Sequence, residues 1–143
     1  MKQAPVIQPL RIADADAGLR HVFVRDLVVS CVIGVHAYEK DRSQRVRINL
    51  DLGVEEGEEP HNDRLHNVVC YEDIVARIRA IIGDGHINLV ETLAERIAAV
   101  CLQSPRCRTA RVRVEKLDVF EDAQSVGVEI ERISTTEPRR RPK

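Results

Sequence analysis

Aromatic residues are nearly absent from this chain, with two Phe, two Tyr and no Trp in 143 residues. RNA-binding sheets of the ferredoxin-like kind stack bases on aromatic side chains of their central strands, so this composition excludes that role. An excess of one charge is missing too. The 22 Lys and Arg against 23 Asp and Glu leave a net charge of −1, which gives no pull toward nucleic acid or an anionic membrane. No apolar run approaches the ~20 residues of a membrane span, and the opening Met1-Lys2-Gln3-Ala4-Pro5 is not followed by a signal-peptide core. A cytoplasmic location is expected. Cys31, Cys70, Cys101 and Cys107 contain no CxxC pair, so neither a zinc nor a disulfide framework is expected. All but Cys107 sit among apolar neighbours, as reduced and mostly buried thiols. His61 and His66 flank Asp63, whereas His21, His36 and His86 are isolated, and no His-x-x-x-His spacing occurs; no metal is expected. Gly83-Asp84-Gly85 lacks the Lys-Ser/Thr of a phosphate-binding loop.

What is present is an ordinary globular mixture, 43% hydrophobic and 31% charged, of a length that makes one domain burying roughly 70% of its unfolded surface. Residues 1–20, with Pro5, Pro9 and no sustained periodicity, are expected to form a mobile lead-in. The folded unit is expected over residues 21–133. Val22 to Ile33 reads as a strand interrupted at Arg25-Asp26 by a bulge or a change of exposed face. Val46, Ile48, Leu50, Leu52 and Val54 alternate with Arg45, Arg47, Asn49 and Asp51, the clearest strand in the chain. Ile74, Val75, Ile78, Ile81 and Ile82 predict a helix from Tyr71 to Ile82, stopped by Gly83-Asp84-Gly85. Leu89, Leu93, Ile97, Val100 and Cys101 predict a second, ended by Ser104-Pro105. Ala110, Val112 and Val114, then Val126, Val128 and Ile130, predict two closing strands. The order ββααββ points to an α+β domain: a four-stranded antiparallel sheet with both helices on one face and a charged second face. Its exposed edges suit joining with neighbours in a closed ring. Residues 134–143, ending Arg139-Arg140-Arg141-Pro142-Lys143, are expected to be a disordered basic tail.

Three residues stand in contexts suited to chemistry. Glu91, in Asn88-Leu89-Val90-Glu91, either closes a capping box with Asn88 as N-cap or offers an acceptor-only fork to a ligand with two adjacent N–H donors. Tyr71 is either an amphipathic residue at the edge of the core or a phenol that donates or accepts. Lys116 is either an exposed strand-end lysine or a proton carrier. Glu39, in the loop after Ile33-Gly34-Val35-His36, reads by itself as solvated.

Taken together, these positions resemble the dihydroneopterin aldolases of the tunnelling (T-fold) family over nearly all of residues 21–133. Ile33-Gly34-Val35-His36 before Glu39, with Gln44 five residues on, is similar to that family's first hairpin. Tyr71 resembles its tyrosine, Asn88 to Ile97 its Leu-Val/Leu-Glu-x-x-Ala-Glu-x-Ile helix opening, and Lys116 with Ser125 to Arg132 its lysine and closing strand. Leu117 departs from the proline that often follows the lysine in aldolases, and is similar instead to the related dihydroneopterin-triphosphate epimerases.

The resemblance implies a folate-pathway lyase that splits 7,8-dihydroneopterin into 6-hydroxymethyl-7,8-dihydropterin and glycolaldehyde by a retro-aldol step, with no cofactor, metal or Schiff base. Epimerisation to dihydromonapterin would be a side reaction. It implies that Glu91, with the backbone of Leu89 and Val90, holds the pterin edge, that Lys116 moves the protons, and that Tyr71 assists from an adjacent subunit. Glu39 would bind the trihydroxypropyl chain. Lys116 would need a pKa below the usual ~10.4 to be partly neutral. Tetrameric rings stacked as a homo-octamer, with sites between subunits, complete the implied picture. The competing readings are a dedicated epimerase and a non-catalytic pterin- or purine-binding ring protein.

Overall fold

Alternation decides the architecture. Val46, Ile48, Leu50 and Leu52 are all buried, while the residues between them face the other way, which is what a strand with one covered face requires. In the computed structural model, which describes residues 12–57, 62–65 and 68–135, this strand is β2 (Gln44–Glu55). It lies between β1 (Leu19–Cys31) and β3 (Cys107–Lys116), and β4 (Val126–Ile133) completes an antiparallel sheet in the order β1-β2-β3-β4. The outermost parts of the expected lead-in and basic tail, as well as His61 and His66, lie outside the described residues.

β1 begins before His21. Asp14 pairs with Leu19 across a tight turn in which the Asp14 carboxylate accepts from the Asp16 and Ala17 N–H groups, and Gly18 takes a positive φ of 66°. The interruption at Arg25-Asp26 is a β-bulge. The register shifts between Val24 and Leu27, and Asp26 adopts φ 52°, held by its N–H bond to Asn49 Oδ1 at 2.9 Å.

The two helices cover one face of the sheet. α1 (Tyr71–Gly83) buries Ile74 and Ile78, and α2 (Val90–Leu102) buries Leu93, Ala94, Ile97, Ala98 and Cys101. These meet Val46, Ile48, Leu50, Leu52, Ala110, Val112 and Val114 in a single core. Each large aliphatic side chain so buried contributes about 1.5–3 kcal/mol, which sets the frame rigid enough to hold a site at its end. Cys70 caps α1, its Sγ accepting from Asp73 N–H at 3.4 Å. All four cysteines are free, and Cys107 is buried with Cys31 and Cys101 although its sequence neighbours are polar.

The second face carries charge, but not all of it is solvated. Glu115 is only 5% exposed, because Arg47 on β2 grips it with two bonds of 2.9 and 3.0 Å and Ser125 donates at 2.6 Å. The Arg47 bond is the main reason its carboxyl falls to about 2, burial opposing and Ser125 assisting. Opposite it stands Gly127. A Cβ there would lie 2.0 Å from the Val114 carbonyl oxygen, so β4 can approach β3 only with glycine at this point.

Candidate active site

The site starts from a backbone that only glycine can take. Past the end of β1 the chain stays extended: Ile33 bridges Ile87, Gly34 N–H donates to Ile87 O at 2.9 Å, and Ile87 N–H donates to Val32 O at 3.1 Å. Gly34 then turns with φ +135°, and a Cβ on it would stand 2.2 Å from Glu39 Cδ. A short 3₁₀ turn at Ala37–Glu39 brings the Glu39 carboxylate directly beneath Gly34. Glu39 is therefore buried, at 4% exposure, and not the solvated loop residue that its neighbours suggest.

A buried carboxylate needs donors, and three are supplied. Lys116 Nζ and Gln44 Nε2 each donate to Oε2 at 2.8 Å, and His36 N–H reaches Oε1 at 3.4 Å. Gln44 Nε2 also donates to Ile33 O at 2.9 Å, fixing the amide. The Lys116 bond is the chief cause that brings the Glu39 carboxyl down to about 2, against the effect of burial and with help from Gln44. Lys116 itself ends β3 opposite Val46, on the helix side of the sheet, with 16% of its side chain exposed. The neighbour it receives is an anion.

Glu91 is not part of a capping box. Leu89, with φ −125° and ψ 142°, is the N-cap of α2 and makes no side-chain capping bond, so Glu91 stands in the second helical position, one place short of the reciprocal geometry. Its carboxylate is exposed and makes no hydrogen bond or ion pair among the described residues. It stands at the helix N-terminus, where the dipole favours an anion. Leu89 is exposed and Val90 half-buried. Because Ile87 is bonded to Val32 and Gly34, the start of α2 is tied to the strand end that covers Glu39.

Tyr71 stands apart. It opens α1 with 59% exposure, and among the described residues no hydrogen bond, ion pair or ring contact joins it to Lys116, Glu39 or Glu91. A cavity of about 490 Å³ between α1 and the end of α2, lined by Cys70, Ile74, Arg77 and Cys101 among others, includes none of these four residues. Among the described residues no three His, Cys, Asp or Glu side chains are grouped so as to hold a metal ion.

From sequence Gln44 reads only as a landmark five residues beyond Glu39. Gln44 is polar at a position where β2 continues its inward alternation, and Lys116 does the same at the end of β3. Two polar residues closing two apolar stripes at the same end of a sheet are the signal that marks the site.

Comparison with known proteins now decides the assignment, since the dihydroneopterin aldolase family model matches residues 22–131. The chain belongs to the dihydroneopterin aldolase family. It is 34% identical over 85 residues to the dihydroneopterin aldolase of Streptomyces coelicolor, a match spanning 59% of this chain and 71% of that one. It is 26% identical over 111 residues to that of Escherichia coli K12, spanning 78% and 91%. Among solved structures it resembles a dihydroneopterin aldolase from Burkholderia thailendensis bound to guanine, with TM-score 0.72 and 37% identity over 82% of this chain and 93% of the other. It also resembles the Escherichia coli dihydroneopterin aldolase in complex with neopterin, with TM-score 0.73 and 26% identity over 79% and 98%. The activity that follows is dihydroneopterin aldolase, a carbon–carbon lyase of folate biosynthesis.

Proposed function

We propose that the chain performs this activity as a retro-aldol cleavage of 7,8-dihydroneopterin in which Lys116 moves the protons and Glu91 holds the pterin. The observation that carries the reading is a half-buried Lys116 bonded to the buried Glu39 carboxylate, together with an unengaged carboxylate at the tethered start of α2. The aminopyrimidinone edge of a pterin has adjacent N–H donors, which suit one ionised carboxylate accepting twice, with the Leu89 and Val90 backbone alongside. The neopterin and guanine bound by the two solved relatives share that edge, which supports the anchor role.

The chemistry then needs little else. A base takes the proton of the hydroxyl beyond the C–C bond that breaks; glycolaldehyde leaves, and the electron pair is received by the C=N bond of the dihydropterin ring. The resulting enamine carbon is reprotonated to give the hydroxymethyl product. Lys116, directly or through a water, serves both transfers, and the substrate is its own electron sink, so no cofactor or metal is required. Glu39 orients Lys116 through Oε2. Among the described residues its Oε1 carries only the 3.4 Å contact from His36, which leaves that oxygen able to accept from a hydroxyl of the trihydroxypropyl chain.

Tyr71, exposed and not bonded to the cluster within one chain, enters from an adjacent subunit. β1 and β4 are the edges of the sheet, and edge-to-edge joining of four copies into a ring, doubled to an octamer, would cover them and assemble the sites. No described helix is long and apolar enough to cross a membrane; the four free thiols support placing the enzyme in the reducing cytoplasm. Leu117 resembles the epimerases at this position, and epimerisation to dihydromonapterin is the side reaction that this supports; its N–H donates to Arg45 O at 3.0 Å, an extension of the ladder that a proline there could not make. The test is the split between two variants. Lys116→Ala should slow turnover by about 10²-fold or more while pterin binding persists, and Glu91→Ala should lose binding; near-normal turnover by Lys116→Ala overturns the assignment.

A further inference from the structure

His86 takes no part in the proposed chemistry, yet it bonds the backbone that covers Glu39. It follows Gly85, whose φ of +124° turns the chain after α1, and its Nε2 lies 2.7 Å from the Gly34 carbonyl oxygen. A carbonyl only accepts, so Nε2 carries the proton and the ring is held in one tautomer or as the imidazolium. With Gly34 N–H on Ile87 O, both backbone polar groups of Gly34 are engaged by two consecutive residues, 86 and 87.

That matters because Gly34 is also the lid of the Glu39 carboxylate. There is no room for even a Cβ between them, so a shift of the Gly34 peptide must move Glu39, and with it the 2.8 Å bond to Lys116. On its other side His86 precedes Glu91 by five residues, in the segment that leads into α2. We infer that His86 is a positioning residue that sets the Lys116–Glu39 pair at its working place relative to a pterin held at Glu91, by locking the Gly34 peptide against the start of α2. The inference rests on the proposed roles of Lys116 and Glu91. His86 is exposed and lies outside the apolar core, so its removal leaves the core packing intact and takes away only the bond to the Gly34 carbonyl.

The experiment uses the full chain with His86→Ala and His86→Gln, the latter keeping a side-chain N–H donor. Turnover of 7,8-dihydroneopterin, affinity for 6-hydroxymethylpterin and thermal midpoint are measured for each. His86→Ala should lower kcat by roughly tenfold, since small misplacements of reacting groups cost one to two orders of magnitude, while pterin affinity changes less than about twofold and His86→Gln recovers most of the rate. In a Lys116→Ala background His86→Ala should cost nothing further, because it acts through that lysine. An unchanged kcat, a loss that adds to that of Lys116→Ala, or a parallel fall in affinity and thermal midpoint unrescued by glutamine would each overturn the inference. A wild-type protein without turnover, or a Lys116→Ala variant with full turnover, would instead refute the functional reading on which it rests.

Discussion

Lys116 Nζ and Glu39 Oε2, 77 residues apart in the chain, meet at 2.8 Å in the buried end of the sheet. The Glu39 carboxyl is lowered from 4.5 to about 2, first by this bond. A carboxyl whose pKa is depressed on folding binds its proton more tightly in the unfolded chain, so it adds stability above the unfolded value and loses it as pH falls toward the folded one. Urea unfolding of wild type and Glu39→Gln should therefore differ most at neutral pH, and the gap should close between about pH 4.5 and about pH 2. A gap independent of pH would show that the ion pair does not stabilise the fold.

Glu91 offers the opposite case. It makes no bond within the described chain and caps nothing, so Glu91→Gln should alter stability only through the helix dipole, by about 0.3–1 kcal/mol. Pterin affinity should fall at least about tenfold, the scale of a charge-assisted bond lost from a site. Calorimetry of pterin binding beside thermal melts separates the two quantities; a stability loss without an affinity loss would return Glu91 to a structural role.

Gly34→Ala should be disruptive although it adds one methyl group. It meets both a φ of +135° and the Glu39 carboxylate at 2.2 Å. Destabilisation of about 1–3 kcal/mol is expected, together with a loss of turnover at temperatures where the variant stays folded. Full activity in such a folded variant would mean that the position of Glu39 is not critical.

If Tyr71 acts across a subunit boundary, two inactive chains should rescue each other. Tyr71→Phe and Lys116→Ala, unfolded together and reassembled one to one, should regain about a quarter of the wild-type rate by random pairing around a closed ring. Absence of rescue, with the ring shown to re-form, would place Tyr71 and Lys116 in the same chain's site.

The sheet and helices were legible because each rests on local periodicity. The alternation from Val46 to Val54 and the isoleucine spacing of α1 survive in the structure as read, and Arg25-Asp26 does mark a bulge. Burial of Glu39 was not legible, because it depends on the open space at Gly34 and on a lysine 77 residues away. Burial of Glu115 was not legible for the same reason: its partners Arg47 and Ser125 come from a neighbouring strand and the following loop. The start of α2 was misplaced by one residue. Ile87 is held extended by its bridge to Ile33, a long-range constraint that moves the cap from Asn88 to Leu89.

The measurement closest to the central claim is a product balance. Purified protein is incubated with 7,8-dihydroneopterin, without added metal, and glycolaldehyde and 6-hydroxymethyl-7,8-dihydropterin are followed together. Equal release of both is the predicted result; conversion to dihydromonapterin with little glycolaldehyde, or no reaction, would contradict a retro-aldol enzyme built on Lys116 and Glu91.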